Sequence, residues 1–100
     1  MNIKELSSRY MAGQRDFRNL NLMAANLRNL NLSGANFSGA NLTKANLTGT
    51  NLSSANLTDS VLTGANCSKT NLTRANLSNV DLSNVDLNTA LVQGATLPSA

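Results

Sequence analysis

Leucine recurs every fifth residue through most of this chain, at Leu22, Leu27, Leu32, Leu42, Leu47, Leu52, Leu57, Leu62, Leu72, Leu77, Leu82, Leu87 and Leu97. Phe17, Phe37, Cys67 and Val92 fill the intervening places, so the register holds from Phe17 to Leu97. A period of five suits neither common element. Five helical steps of about 100° rotate a side chain by roughly 140°, which scatters the leucines around the cylinder. A straight strand alternates its faces, so an odd period sends successive leucines to opposite sides. Only a backbone that corners at regular intervals aims all of them inward.

From Arg15 to Ser99 the chain divides into seventeen five-residue units without insertion. Two places before each central apolar residue stands a small one in most units, among them Ala25, Ala35, Ala40, Ala45, Ala55, Ala65, Ala75, Ala90 and Ala95. Leu20, Leu30, Val80 and Val85 are the larger exceptions, and they lie towards the two ends of the array. One place before the centre stands Asn in eleven units, with Asp16, Asp81 and Asp86 in the same slot. One place after it, Ser or Thr is continuous from Ser33 to Ser83. Asn and Asp tolerate turn dihedrals and bond nearby backbone groups, which suits a chain that turns this often. Gly34, Gly39, Gly49, Gly64 and Gly94 all occupy the last slot, so they read as corners and not as a phosphate-binding loop.

The segment before the repeats has helical spacing at Ile3, Leu6 and Tyr10. Asn2 with Glu5 three places later resembles a capping box, and Gly13 is a natural stop. Ile3, Leu6 and Tyr10 then serve as a lid on the open end of the stack, because terminal repeats generally need a cap.

The motif Ala-Asn-Leu-Ser/Thr-x, present at residues 40–44, 45–49, 55–59 and 75–79 and with Phe37 for Leu at 35–39, resembles that of the pentapeptide-repeat family. The segment Arg-Tyr-Met-Ala-Gly-Gln-Arg-Asp-Phe at residues 9–17 resembles the N-terminal cap of cyanobacterial-type members. The resemblance implies an all-β architecture: a right-handed quadrilateral parallel β-helix with one pentapeptide per side, behind a short N-terminal helical cap. Residues 1–14 form the cap and residues 15–100 about four coils on this reading. The expected core comprises Phe17, Leu22, Leu27, Leu32, Phe37, Leu42, Leu47, Leu52, Leu57, Leu62, Cys67, Leu72, Leu77, Leu82 and Leu87. Large groups from four sides meet on one axis, so the second inward slot must be small. Phe17 and Phe37 stand twenty residues apart and should stack in adjacent coils.

Chemistry finds few participants. Histidine is absent and Cys67 is the only cysteine, so ordinary transition-metal sets and disulfides are missing and a reducing cytoplasm is expected. Cys67 takes a central slot and reads as a buried, inert thiol. Asp81 and Asp86 lie one side apart in one coil and read as Asn substitutes, not as a catalytic dyad. Serines without a base are ordinary surface residues. No catalytic residue, metal or cofactor is expected, and no run of apolar residues approaches the roughly 18 needed to span a membrane.

Binding is the class that remains. Residues 1–28 carry five basic and two acidic side chains, whereas residues 29–100 carry three of each. A DNA mimic that inhibits a type II topoisomerase, as some members of the resembled family are, requires rows of carboxylate in place of phosphates. Here that row is mostly neutral Asn. Lys44, Lys69 and Arg74 fall on three different sides, so no basic stripe offers itself to nucleic acid. The hydroxyl rows, Thr43 with Thr63 and Ser83, or Thr48 with Ser68, raise an ice-binding reading, which their ordinary backbone role outweighs. The expectation is a non-enzymatic structural or protein-binding scaffold. A weak homodimer through the C-terminal end is expected as well, because Asn88, Leu91, Thr96 and Pro98 break the consensus there.

Overall fold

The computed structural model describes residues 1–99; Ala100, the last residue of the expected repeat segment, lies outside the described residues. Helix α1 spans Ile3–Met11. Its start is fixed by Asn2, whose Oδ1 accepts the Glu5 N–H at 2.8 Å. Its end is fixed at Gly13, which takes φ +103° and donates its N–H to Tyr10 O at 2.9 Å. Leu6 and Tyr10 are buried and Ile3 is half-buried, so the helix lays its apolar face over the first coil. Tyr10 Oη donates to Ser33 O at 2.6 Å, and the Arg15 guanidinium lies 3.8 Å over the Tyr10 ring. These contacts clasp the lid to the stack.

Beyond α1 the chain winds as a right-handed β-helix. Parallel bridges join Asp16 to Asn36, Asn36 to Asn56 and Asn56 to Asn76, each a step of twenty residues, so four pentapeptides complete one coil. We number the coils 1 to 4 as residues 17–36, 37–56, 57–76 and 77–96, and the sides one to four from the columns begun by Phe17, Leu22, Leu27 and Leu32. The molecule measures 36 × 23 × 22 Å.

Three backbone hydrogen bonds per side tie neighbouring coils. On side one Phe37 N donates to Asn56 O at 2.8 Å, Gly39 N to Thr58 O at 2.9 Å, and Asn56 N to Ala35 O at 3.0 Å. Within a unit the corner is a β-turn, as where Ala40 N donates to Phe37 O at 2.9 Å. Its third residue is left-handed, at φ 57° in Lys44, 60° in Arg74 and 72° in Gly39. That conformation costs a non-glycine residue about 1–2 kcal/mol. Here it is offset because the residue's own N–H points along the rod to a carbonyl of the next coil, as Lys44 N does to Thr63 O at 2.9 Å. The turn dihedrals expected of the Asn slot therefore fall on the fifth slot instead. Asn itself stays in the bridge, and its Oδ1 accepts the N–H two residues on, as Asn46 does from Thr48 at 3.0 Å.

Every central side chain from Phe17 to Leu77 is buried. Phe17 and Phe37 stack with centroids 5.5 Å apart and planes 20° from parallel. Thr50 and Thr70 occupy the second inward slot of side four, where each hydroxyl donates at 2.7 Å to a carbonyl of the coil below, Leu27 O and Leu47 O. Burying them is tolerable only because those bonds are made.

Coil 4 departs from the pattern. Leu82 and Leu87, expected in the core, are only half-buried, because no further coil covers their outer edge among the described residues. The ladder also breaks on sides two and three, where Val61 and Asn66 bridge down to Asn41 and Asn46 but form no bridge up to Asp81 and Asp86. The turns give a reason. Asn84 and Thr89 are missing from the residues at positive φ, unlike the fifth-slot residues of coils 1 to 3. A β-branched residue such as Thr89 resists the left-handed region. Changing the sign of φ there flips the central peptide of the turn, so the Ser83 and Asn88 carbonyls turn away from coil 3. Gly64 N consequently makes no backbone bond to Ser83 O, and Lys69 N bonds Thr89 Oγ1 at 3.1 Å instead.

Leu47→Ala removes a buried side chain at mid-rod, where coils on both sides limit collapse. The expected loss is about 2–5 kcal/mol in denaturant unfolding, against under about 0.5 kcal/mol for Thr48→Ser on the outer surface.

Candidate interaction faces

The outward slots of the rod carry Asn, then Ser or Thr, then the corner residue. The Asn side chains are committed to their own turns from Asn21 onwards, including Asn36, Asn56 and Asn76, which cap Ser38, Thr58 and Ser78 at 3.0 Å. Many hydroxyls are committed too. Thr43 and Thr48 donate to Asn41 and Asn46 Oδ1 at 2.6 and 2.7 Å, so these two do not form an open row. Ser33 and Ser53 pair across adjacent coils at 2.9 Å.

Asp81 and Asp86 stand on sides two and three of coil 4. Each carboxylate accepts the N–H two residues on, from Ser83 at 2.9 Å and Asn88 at 2.8 Å, which is the role Asn plays elsewhere. The Ser83 hydrogen bonds, side chain then backbone, hold the Asp81 carboxyl below the usual carboxylate range. Asp16 is likewise held low, by the Arg18 side chain first and its backbone N–H second. Arg18 grips it through Nε at 2.9 Å and Nη2 at 3.0 Å, an exposed pair worth little to stability. Lys44, Lys69 and Arg74 lie on sides two, three and four.

Cys67 sits on side three with 2% of its surface exposed. Burial, helped by the Asp86 charge, pushes its thiol up to about 11. The group is therefore a neutral packing element at ordinary pH, the opposite of a nucleophile. Among the described residues no cavity opens, and no three His, Cys, Asp or Glu side chains gather where a metal would bind.

Side two carries a pair of exposed apolar residues in outward slots, whereas side four carries one, Leu91, 57% exposed. Met23 replaces Ser/Thr and Val61 replaces Asn in outward slots, 54% and 44% exposed, with Thr43 and Lys44 in the coil between them. Sequence reasoning missed this pair, whose only signal is that each breaks the consensus of its slot; their shared side follows from four units per coil. The clasp of Tyr10, Arg15 and Ser33 has no sequence signal, since it joins residues 23 apart across the cap. Thr50 and Thr70 did leave a sign, standing twenty residues apart in an alanine slot.

Cys67 gives a titration with a definite sign. Its ordinary value of 9.0 applies to the unfolded chain and about 11 to the native one. The neutral thiol's contribution is full below pH 9 and is lost as pH rises towards 11. Thiolate ultraviolet absorbance of the folded protein should inflect near pH 11, and near 9 in denaturant.

The comparisons with known proteins agree with this geometry. The family model for pentapeptide repeats matches residues 21–59 and 50–88, with 8 copies. The crystal structure of alr5209, a pentapeptide repeat protein from Nostoc, shares 31% identity and a TM-score of 0.79 over 98% of this chain and 86% of that one. A pentapeptide repeat protein of the Arabidopsis thaliana thylakoid lumen shares 31% identity and a TM-score of 0.62, covering 81% of this chain and 57% of its own. HetL of Nostoc, involved in heterocyst differentiation regulation, shares 32% identity and a TM-score of 0.53 over 100% of this chain. This chain spans only 48% of HetL. No curated protein matches the sequence. No described helix is long and apolar enough to cross a membrane. A twenty-residue coil closed by four Asn-capped corners, repeated in phase with the family model over residues 21–88, places this chain in the pentapeptide-repeat family.

Proposed function

We propose that the rod is a non-enzymatic binding scaffold, cytoplasmic as its lone reduced thiol suggests, that presents side two to a protein partner. The observation carrying this reading is the exposure of Met23 and Val61 together on one flat side whose other outward groups are mostly polar and engaged with the backbone. The rigid backbone loses little freedom on binding and the short Val61 side chain little more, whereas ordering Met23 costs about 0.5–1.5 kcal/mol. The competing reading, DNA mimicry against a type II topoisomerase, needs a continuous carboxylate row; side two offers Asn21, Asn41 and Val61 before its single Asp81. The C-terminal end supports a second, weaker contact. Leu82, Leu87 and Val92 are half-buried there and Leu97 is 51% exposed. An end measuring 23 × 22 Å covers roughly 400 Å² per partner, about half of a stable interface, so pairing of two chains through it is weak.

Two experiments test this. Capture from the native host with the intact rod as bait should lose its specific partner on Met23→Glu with Val61→Glu, and keep it on Ser53→Glu with Thr73→Glu on side four. Equal loss from both pairs overturns the assignment of side two, and inhibition of supercoiling at stoichiometric protein overturns the scaffold reading in favour of mimicry. Equilibrium sedimentation should show dimer only at high concentration, abolished by Leu97→Asp. A strict monomer throughout the range defeats end pairing.

A further inference from the structure

The break in the ladder isolates one segment. Between residues 40–49 and 60–69, one coil down, six backbone hydrogen bonds run: Leu42, Lys44, Leu47 and Gly49 donate upward, while Val61 and Asn66 donate downward. Between residues 60–69 and 80–89 none runs, and the single link is Lys69 N to Thr89 Oγ1 at 3.1 Å. Apart from that link and the turn bonds at its two ends, Val80 N to Leu77 O and Ala90 N to Leu87 O, the polar bonds of the segment are its own. Val85 N donates to Leu82 O, Ser83 N to Asp81 Oδ1 and Asn88 N to Asp86 Oδ1, so the segment keeps them wherever it goes.

Both flanks are pinned. Leu57 N donates to Asn76 O and Leu77 N to Thr96 O before the segment, while Leu72 N donates to Leu91 O and Leu91 N to Thr70 O after it. Apolar contact is what holds the middle: Val80 is buried, and Leu82, Val85 and Leu87 are half-buried. Two features weaken the seat beneath it. Ser60, 4% exposed in the coil under Val80, has a hydroxyl without a hydrogen-bond partner among the described residues. Cys67 fills with a small side chain the slot that holds leucine in coils 1 and 2 of the same column.

From these observations we propose that residues 80–89 form a strap, closed over coil 3 by side-chain packing and the single Lys69 N to Thr89 Oγ1 bond, that opens while the other coils stay folded. Opening uncovers the sides of coil 3 from Ser60 to Lys69, with the Leu62, Gly64 and Cys67 N–H groups presented as a free edge. Segments held by few buried contacts and few inter-element hydrogen bonds are the ones that open below the global unfolding free energy. The strap needs no partner and is independent of the role of side two.

Cys67 reports the opening, since it lies beneath the strap and is the only thiol. Labelling of the native full-length protein with a maleimide at fixed pH and rising denaturant measures it. The rate in water should exceed that expected from global unfolding by about tenfold or more, with a shallower denaturant slope. Val85→Ala, which loosens only the strap's packing, should raise the rate about tenfold. Leu22→Val, which weakens coil 1, should lower the global midpoint yet leave the rate within about twofold. Labelling that follows the global midpoint in all three proteins, with the full unfolding slope, overturns the strap. So does a rate that rises with Leu22→Val as much as with Val85→Ala.

Discussion

The inter-coil ladder sets the terms for every other feature of the rod. A backbone N–H must meet a carbonyl nineteen residues on or twenty-one back, so each side on which the ladder runs is held at one height and one register. That condition fixes which of five side chains face the axis, and it leaves the inward slots to be filled by size. A leucine and an alanine per side close the interior, and a slightly larger Thr is admitted only where its hydroxyl finds a carbonyl of the coil below, as Thr50 and Thr70 do. The hydrophobic column is therefore a consequence of the ladder's register, and the ladder is protected from water by the column.

The corners show the same dependence. A left-handed Lys44 or Arg74 is unfavourable by itself, and no local signal asks for it. It persists because it turns one N–H along the rod, and because the preceding Asn supplies an acceptor for the other exposed donor of the turn. Some fifth-slot glycines have a further duty. A Cβ at Gly49 would stand 2.2 Å from Asn29 Oδ1, so a side chain there would make the exposed asparagine one coil below swing aside. Corner residues in one column are thus coupled at twenty-residue separation, a constraint that no local propensity contains.

This coupling explains what could be read before any coordinates. The five-residue period assigns the central slots from Phe17 to Leu77 to the interior, because burial is a property of the period itself. The number of sides is not, since it depends on the turn dihedrals, and Lys44, Asp59 and Arg74 give no hint that they are left-handed; four sides came from family resemblance. The half-buried state of Leu82 and Leu87 escaped the same logic, because the period is unbroken there while the ladder is not. Thr89 did carry a legible warning, a β-branched residue in a corner slot. Asn84 carried none, since asparagine accepts either conformation. The cap contacts of Tyr10 and Arg15 joined residues brought together only by the closed first coil.

The departures from consensus are not spread evenly. Ser60, Val61, Cys67, Val80, Asp81, Val85, Asp86 and Thr89 cluster on sides two and three of coils 3 and 4, whereas sides one and four keep their ladders even where Thr96 and Leu91 replace Asn. A repeat array tolerates change wherever its neighbours still close, and its stability is close to a sum of local units and interfaces. Degrading one interface on two adjacent sides therefore leaves the remaining coils intact. The regularity that makes this fold so easily recognised is silent about function for the same reason: it is shared by every coil. What distinguishes this chain is the quarter of its surface where that regularity fails, and there the molecule combines an exposed Val61, an unpaired strand edge and a core seated on a small thiol.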